Sequence, residues 1–239
     1  MSNNWFQFKQ FRISQGNTAM KVGTDGVLLG AWVNIGAKED DSLRILDVGT
    51  GTGLIALMIA QRSSAEIFAI EIDEAAAAQA NENFKNSPWA QRINLIQADY
   101  RSFKQLSIER FDHVVCNPPF FSSSLNSSDK RRSIARHDNK LPLLSFIESC
   151  FNVITAEGRV SLILPTDRFE EAQDLFRQSG FFLVRKIDVR SRENGKFIRV
   201  LSEWSQKQEE QFIGDISIYS EHANEYTNQY RNLTKEFYL

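Results

Sequence analysis

The chain has 239 residues, of which 42% are hydrophobic and 24% are charged. With only 12 Gly and 5 Pro, this composition is that of a globular protein and excludes collagen-like, low-complexity and wholly disordered classes. The formal net charge is −2, so a polyanionic partner would have to be bound by local basic patches.

From Leu43 onward, short strand-like segments alternate with longer helix-like segments. The predicted strands, rich in β-branched residues, are Leu43–Val48, Glu66–Ile72, Ile93–Gln97, Phe111–Cys116 and Arg159–Leu164. The predicted helices, with apolar residues three and four positions apart, are Leu54–Gln61, Glu74–Asn86, Leu141–Ile154 and Arg168–Gln178. This alternation predicts an α/β fold with a mostly parallel, doubly wound sheet, whose ligands bind at the carboxyl ends of the strands.

Both ends of the chain depart from this alternation. Phe181–Val189 and Lys196–Trp204 flank the polar turn Arg190–Gly195 and predict an antiparallel hairpin that ends the sheet, followed by a polar linker, Gln206–Gln211. We expect residues 1–40 to form a lead-in that covers one end of the sheet, and residues 41–239 to form the main part of a single domain.

A glycine-rich segment follows the first predicted strand. Asp47 lies near the end of that strand, and Gly49–Gly53 leads into a helix with the spacing Gly-x-Gly-x-Gly. Glycine permits positive φ and lets a ligand lie against bare backbone. Glu71 ends the next strand, where a carboxylate can accept both hydroxyls of a ribose. These residues predict a site for an adenosine-containing cofactor, either a nicotinamide dinucleotide or S-adenosylmethionine.

Two further residues follow the third predicted strand. Asp99 can accept a hydrogen bond from the exocyclic amine of adenine, and Tyr100 can cover one face of the ring. We expect both at the same rim of the sheet as Asp47 and Glu71.

The fourth predicted strand runs into the tetrapeptide Asn117-Pro118-Pro119-Phe120. Pro118 favours an extended Asn117, and the two prolines donate no N–H, so the Asn117 side-chain oxygen and the Pro118 carbonyl form a rigid acceptor pair. Such a pair fits the two N–H groups of an exocyclic amine and stabilises the positive charge that develops on its nitrogen during attack on a sulfonium methyl. Phe120 would stack on a flipped base.

Together these motifs resemble the Rossmann-like class I S-adenosylmethionine-dependent methyltransferases that methylate amino groups. More narrowly, the chain resembles the bacterial tRNA1(Val) (adenine(37)-N6)-methyltransferase family. The resemblance runs from Phe8–Ile13 and Ala19–Gly30 through Ala135–His137 to the tail Tyr226–Leu239. It implies methyl transfer from S-adenosylmethionine to N6 of an adenine in a tRNA anticodon loop, at position 37 of tRNA1(Val).

The resemblance also implies site residues by position. The cofactor-binding set is Lys21, Val22, Gly23 and Thr24 at the methionine end, Asp47, Gly49 and Gly51 at the centre, Glu71 at the ribose, Asp99 and Tyr100 at the adenine, and Asn117. The catalytic set is Asn117, Pro118, Pro119 and Phe120.

The sequence and the resemblance also predict the binding partners and the cellular compartment. We expect a monomer that acts on tRNA, with neither DNA nor a membrane as a partner. Cys116 and Cys150 lie in apolar stretches and no secretory signal opens the chain, which predicts a reducing cytoplasm. The three scattered histidines predict no metal site.

Two basic runs supply the local positive charge that an RNA substrate requires. The first follows the acceptor tetrapeptide and contains Lys130, Arg131, Arg132, Arg136, His137 and Lys140. The second lies on the predicted hairpin and contains Arg185, Lys186, Arg190, Arg192, Lys196 and Arg199. We expect the two runs to form one basic rim that binds RNA phosphates, with Arg190, Arg192 and Lys196 among its contacts.

Other readings stay open on the residues alone. A protein glutamine N5-methyltransferase uses a similar acceptor tetrapeptide, usually with Tyr where this chain has Phe120. A guanine N2-methyltransferase of ribosomal RNA is a second enzyme alternative, and an RNA-binding module with an inert cofactor fold is the non-enzyme one.

Overall fold

The computed structural model describes residues 3–16, 18, 20–36, 40–102, 110–118, 143–221 and 225–238. The strands are β1 (Trp5–Gln7), β2 (Arg12–Ser14), β3 (Arg44–Val48), β4 (Glu66–Glu71), β5 (Ile93–Gln97), β6 (Phe111–Cys116), β7 (Ile154–Pro165), β8 (Phe182–Arg192), β9 (Phe197–Ser205) and β10 (Phe212–Tyr219). The helices are α1 (Thr24–Trp32), α2 (Leu54–Arg62), α3 (Glu74–Lys85), α4 (Leu143–Val153), α5 (Phe169–Gln178) and α6 (Asn228–Thr234).

Eight strands form one twisted sheet in the order β10-β8-β9-β7-β6-β3-β4-β5. Strands β7, β6, β3, β4 and β5 run parallel to one another, whereas β9 runs antiparallel to both β7 and β8. The predicted α/β class, parallel sheet and antiparallel hairpin are therefore confirmed. Such a parallel sheet needs both faces covered, and the crossover helices provide that cover.

The position of the hairpin differs from the prediction in one respect. The hairpin does not end the sheet, because β10 pairs in parallel with the outer side of β8. Gly214 and Asp215 interrupt the β-branched pattern of β10, so its sequence is a weak strand signal. Hydrogen bonding to β8 therefore stabilises β10 as a strand, although its own sequence favours a strand only weakly.

The lead-in and the tail share a core with the sheet. Strands β1 and β2 form a small antiparallel hairpin, and Phe8 beside it is fully buried in the same cluster as α2 and the tail residue Phe237. The Lys9 N–H donates to the Phe237 carbonyl at 2.8 Å. The first and last segments of the chain are thus held together by burial of apolar surface and by backbone hydrogen bonds.

In the part of the chain that the structure covers, no helix has the length and apolar character needed to cross a membrane. Cys116 and Cys150 are both buried and free.

A buried polar network crosses the sheet at the end opposite the glycine loop. The Ser161 hydroxyl lies 2.9 Å from Nε2 of His113 and 3.3 Å from the Glu203 carboxylate, which also pairs with Arg185 at 3.3 Å. Burial, aided by repulsion from Arg159, lowers the pKa of His113 to about 3. Burial raises the pKa of Glu203. The network places an uncharged imidazole in the core.

This network predicts a pH-dependent stability difference for His113→Gln. In the unfolded chain His113 takes up a proton below about pH 6.5, whereas the folded protein keeps it neutral down to about pH 3. The stability contribution is therefore present above pH 6.5 and lost as the pH falls. Relative to the variant, the wild type should lose up to about 1.4 kcal/mol per pH unit below pH 6.5.

Urea unfolding at several pH values between 4 and 8 measures this difference. Glu203 acts in the opposite direction, since its raised pKa adds stability that is lost as the pH rises. Both proteins contain Glu203, so its effect cancels when the two are compared. A stability difference that stays constant with pH would contradict the assignment.

Candidate active site

The glycine loop turns through left-handed backbone at the carboxyl end of β3. Gly49, Gly51 and Gly53 have φ of +70°, +57° and +82°. A residue with a Cβ adopts such a φ at a cost of roughly 1–2 kcal/mol. The N–H groups of Gly49 and Thr50 both donate to the Ile70 carbonyl, at 2.9 and 3.1 Å. The loop is thereby fixed to the neighbouring strand β4.

Asp47 lies beneath this loop. Its Oδ2 accepts from the Thr50 hydroxyl at 2.6 Å and from the Ala56 N–H at 3.2 Å. Burial raises the pKa of Asp47 to about 7, against the effect of these hydrogen bonds, and the Glu71 carboxylate adds to the rise. Its Oδ1 is buried without a hydrogen-bond partner in the described part of the chain. Asp47 thus supports the loop from below. It does not line the cavity that lies beside the glycine loop.

Glu71 anchors the loop from the side. Its Oε2 accepts from the Gly51 N–H at 2.9 Å, and its Oε1 accepts from the N–H groups of Ile72 and Asp73 at 2.9 and 3.0 Å. The carboxylate therefore stays at the end of β4, next to the glycine loop. Its role as a ribose acceptor remains a prediction.

The side chains of Asp99 and Tyr100 lie in different environments, Asp99 at the rim of the sheet and Tyr100 in the core. The Asp99 carboxylate stays at the rim and accepts from Nε and Nη2 of Arg101, at 3.1 and 2.6 Å. Tyr100 is only 4% exposed, packs against Phe146 and lies with its hydroxyl 3.5 Å from the Cys150 sulfur. A short 3-10 turn that begins at Tyr100 directs the ring into the core. The expectation that Tyr100 covers a ligand ring does not agree with this placement.

A cavity of about 420 Å³ opens at the carboxyl edge of the sheet. Of the predicted site residues, it brings together Lys21, Gly23, Thr24, Gly49, Gly51 and Asn117. Val22 instead packs against the core, and its N–H donates to Oε1 of Gln15 at 2.8 Å. Pro118 is half-buried next to Asn117. Pro119 and Phe120 lie outside the described residues.

Sequence reasoning did not identify several residues that line the cavity. They are Asp25 from α1, Ile198 and Arg199 from β9, and Tyr219 from β10. Nε of Arg199 donates to the Asp25 carboxylate at 2.8 Å and so joins the lead-in to the hairpin. Asp25 belongs to the lead-in motif, which is a usable signal. The strand residues carry no motif, because only the pairing of β8, β9 and β10 brings them to this edge.

The basic residues of the hairpin are mostly neutralised. Lys130, Arg131, Arg132, Arg136 and His137 of the first run lie outside the described residues. On the hairpin, the ion pairs are Arg185–Glu203 (3.3 Å), Lys186–Asp188 (2.7 Å), Arg190–Asp215 and Arg199–Asp25 (2.8 Å). Arg192 and Lys196 are exposed beside the turn. The hairpin surface is thus less positive than expected, since four of its cations face carboxylates.

No cluster of metal-ligating side chains accompanies the cavity. Within the described ranges, no three His, Cys, Asp or Glu side chains are grouped so as to hold a metal ion.

Comparison with known proteins identifies the family. Residues 33–141 match the family model described as "Methyltransferase small domain". A tRNA1(Val) (adenine(37)-N6)-methyltransferase from Bacteroides thetaiotaomicron is 39% identical, over 100% of this chain and 99% of its own. The protein of the same name from a Shewanella species is 41% identical over 98% of both chains.

Solved structures give the same fold. A "predicted O-methyltransferase" from Agrobacterium tumefaciens superposes with a TM-score of 0.68 at 19% identity, covering 89% of this chain and 96% of its own. A ribosomal protein L11 methylase from Lactobacillus delbrueckii superposes with a TM-score of 0.57 at 16% identity, covering 82% and 84% of the two chains. The full-length similarity at about 40% identity, on a methyltransferase fold with an intact glycine loop and acceptor strand, means that this chain belongs to the tRNA1(Val) (adenine(37)-N6)-methyltransferase family.

Proposed function

We propose that this protein transfers a methyl group from S-adenosylmethionine to the exocyclic N6 of adenine 37 in tRNA1(Val). One observation carries the proposal: Asn117, at the end of β6, lines the same cavity as the glycine loop. A methyl donor held by the loop and an amine held by Asn117 would therefore share one cavity. The names of relatives that cover the whole chain support the choice of substrate.

The cavity fits the cofactor. Its volume of about 420 Å³ lies in the range of small-molecule sites. A Cβ built on Gly49 would meet no atom within 4 Å, so this face of the loop is open to a ligand that lies against bare backbone. In the proposal, Gly49 and Gly51 hold the centre of S-adenosylmethionine, whereas Glu71 and Asp99, which are outside the lining of this cavity, are assigned to its ribose and its adenine. When bound, the cofactor supplies an electrophilic methyl group.

The chain's own contribution to the reaction is positioning. The Asn117 side-chain oxygen and the Pro118 carbonyl accept the two N–H groups of the target amine, and so favour a pyramidal nitrogen and stabilise its developing charge. Holding this nitrogen beside the cofactor site reduces the entropic part of the barrier. The cationic product nitrogen is strongly acidic, so its proton can pass to water without a dedicated base. Phe120 is proposed to stack on the flipped adenine.

Contacts to the rest of the tRNA complete the proposal. We assign phosphate binding to Lys130, Arg131, Arg132, Arg136 and His137, with Arg192 and Lys196 as the exposed cations of the hairpin. The proposal takes the protein to be a monomer and to act in the cytoplasm, and two buried free thiols agree with the second of these. Of the lead-in residues, we assign Lys21, Gly23 and Thr24, which line the cavity, to the methionine end of the cofactor.

Methyl transfer to defined substrates tests the proposed function. With labelled S-adenosylmethionine, an unmodified tRNA1(Val) transcript should gain label as N6-methyladenosine, identified after nuclease digestion by mass spectrometry. The matched control is the same transcript with guanine at position 37, which should gain none. Label that appears as N5-methylglutamine in a release factor, or as N2-methylguanosine in ribosomal RNA, would refute the assignment.

Asn117→Ala should separate cofactor binding from turnover. Because the variant removes one of the two acceptors, kcat should fall by about 100-fold or more, in the range seen when one charge-stabilising group is deleted from an active site. Its affinity for S-adenosylmethionine should stay within about threefold of the wild type, measured by calorimetry. A variant with near-normal kcat would show that the acceptor pair is not used.

Gly49→Ala and Gly180→Ala form a matched pair for the cofactor site. Both glycines have positive φ, +70° and +83°, so both variants should lose roughly 1–2 kcal/mol of stability. Only the Gly49 Cβ would enter the cavity, whereas that of Gly180 would lie 3.5 Å from Phe151. Overpacking of this kind typically costs 1–3 kcal/mol, so S-adenosylmethionine affinity should fall about tenfold or more in Gly49→Ala alone. Equal affinities of the two variants would place the cofactor elsewhere.

A further inference from the structure

Two large apolar side chains from different segments of the chain line the cavity. Met20 comes from the lead-in and Ile198 from strand β9, and both line the cavity that contains Asn117. They are 51% and 41% exposed. Exposure alone does not distinguish them, since Ile213 is 61% exposed, but their place in the lining of the cavity that contains Asn117 makes them available to a ligand there.

An irregularity in the sheet places Ile198 there. Val189 pairs with Arg199 and Arg190 pairs with Phe197, so Ile198 is an extra residue in β9 without a partner on β8. This is a β-bulge. Consecutive residues of a regular strand face opposite sides, yet Ile198 and Arg199 both line the cavity. Bulges change the direction of a side chain in this way and are common beside active sites.

An ion pair connects the segment that carries Met20 to the segment that carries Ile198. Arg199 follows Ile198 on the bulge, and its Nε donates to the Asp25 carboxylate at 2.8 Å. Asp25 lies in the first turn of α1, five residues after Met20. The two apolar side chains are thus carried by segments that a partly buried ion pair ties together, which limits how far the mouth can open.

We propose that Met20 and Ile198 form an apolar slot that packs against one face of the target adenine, the face that Phe120 leaves free, while Asn117 accepts its N–H groups. The inference rests on the proposed function and adds two substrate-positioning residues to it. A flipped base is commonly held between apolar or aromatic side chains, because both faces of its ring lose their stacking partners on leaving the nucleic acid. An apolar slot of this kind suits a broad flat ring better than it suits a phosphate or a charged side chain.

The charges of the hairpin support a base rather than a phosphate at this wall. Arg199 is paired with Asp25, and Arg190 on the adjacent strand is paired with Asp215. Phosphate binding depends on Lys and Arg side chains that displace the counterions of the nucleic acid. Stacking of a base on an apolar side chain does not depend on such cations. The slot should therefore contribute to substrate recognition without changing the salt dependence.

Ile198→Ala tests the slot, with Ile213→Ala as its matched control. Ile213 is a 61% exposed isoleucine near the start of β10 and does not line the cavity. With an anticodon stem-loop RNA of tRNA1(Val), Ile198→Ala should lower kcat/KM by roughly 10- to 100-fold. Met20→Ala should act in the same direction. Ile198→Leu, which keeps an apolar side chain, should restore most of the activity.

Two further readouts separate the possible causes of a loss. S-adenosylmethionine affinity, measured by calorimetry, should be unchanged in Ile198→Ala, and the slope of RNA affinity against salt should equal that of the wild type. A kcat/KM equal to that of Ile213→Ala, or a parallel loss of cofactor affinity, would overturn the slot while wild-type transfer to RNA still supports the proposed function. Absence of wild-type transfer to RNA would overturn both.

Discussion

The cofactor side of this site depends on a backbone turn that needs glycine. Left-handed φ at Gly49 and Gly51 turns the chain away from β3, and it leaves N–H groups that must find acceptors. The Ile70 carbonyl accepts from Gly49, and the Glu71 carboxylate accepts from Gly51. Asp47 supports the loop from below through Thr50. The loop is therefore stable only while β3 and β4 stay paired.

The sheet order turns this local turn into a reaction site. Strand β3 lies between β4 and β6, with Val48 in register with Ile70 on one side and with Cys116 on the other. The next residue on each neighbour is Glu71 or Asn117. Parallel register thus brings a carboxylate, a glycine loop and an acceptor amide to one edge, although the two strands are far apart in the chain. The pairing of β3 with β4 and β6 is enough to bring these groups together.

The sequence predicted what depends on local pattern. Strands β3 to β7, the helices between them, the hairpin and the glycine loop all follow from periodicity and glycine spacing. Tyr100 shows the limit: one residue after Asp99, its ring lies in the core because of a short turn that the pattern does not reveal. Strand β10 and the cavity wall at Ile198 and Tyr219 depend on pairing between segments, which no single segment encodes.

The charge of the molecule illustrates the same limit. A count of Lys and Arg on the hairpin suggests a phosphate-binding surface, but four of these six cations face carboxylates, three of them contributed by another strand or by α1. Ion pairs of this kind use charge to fix the geometry of the cavity wall. The net charge of −2 is then compatible with an RNA substrate for a structural reason. In the proposed function, long-range attraction is left to the remaining basic residues, and discrimination is assigned to the fit of the adenine beside Asn117.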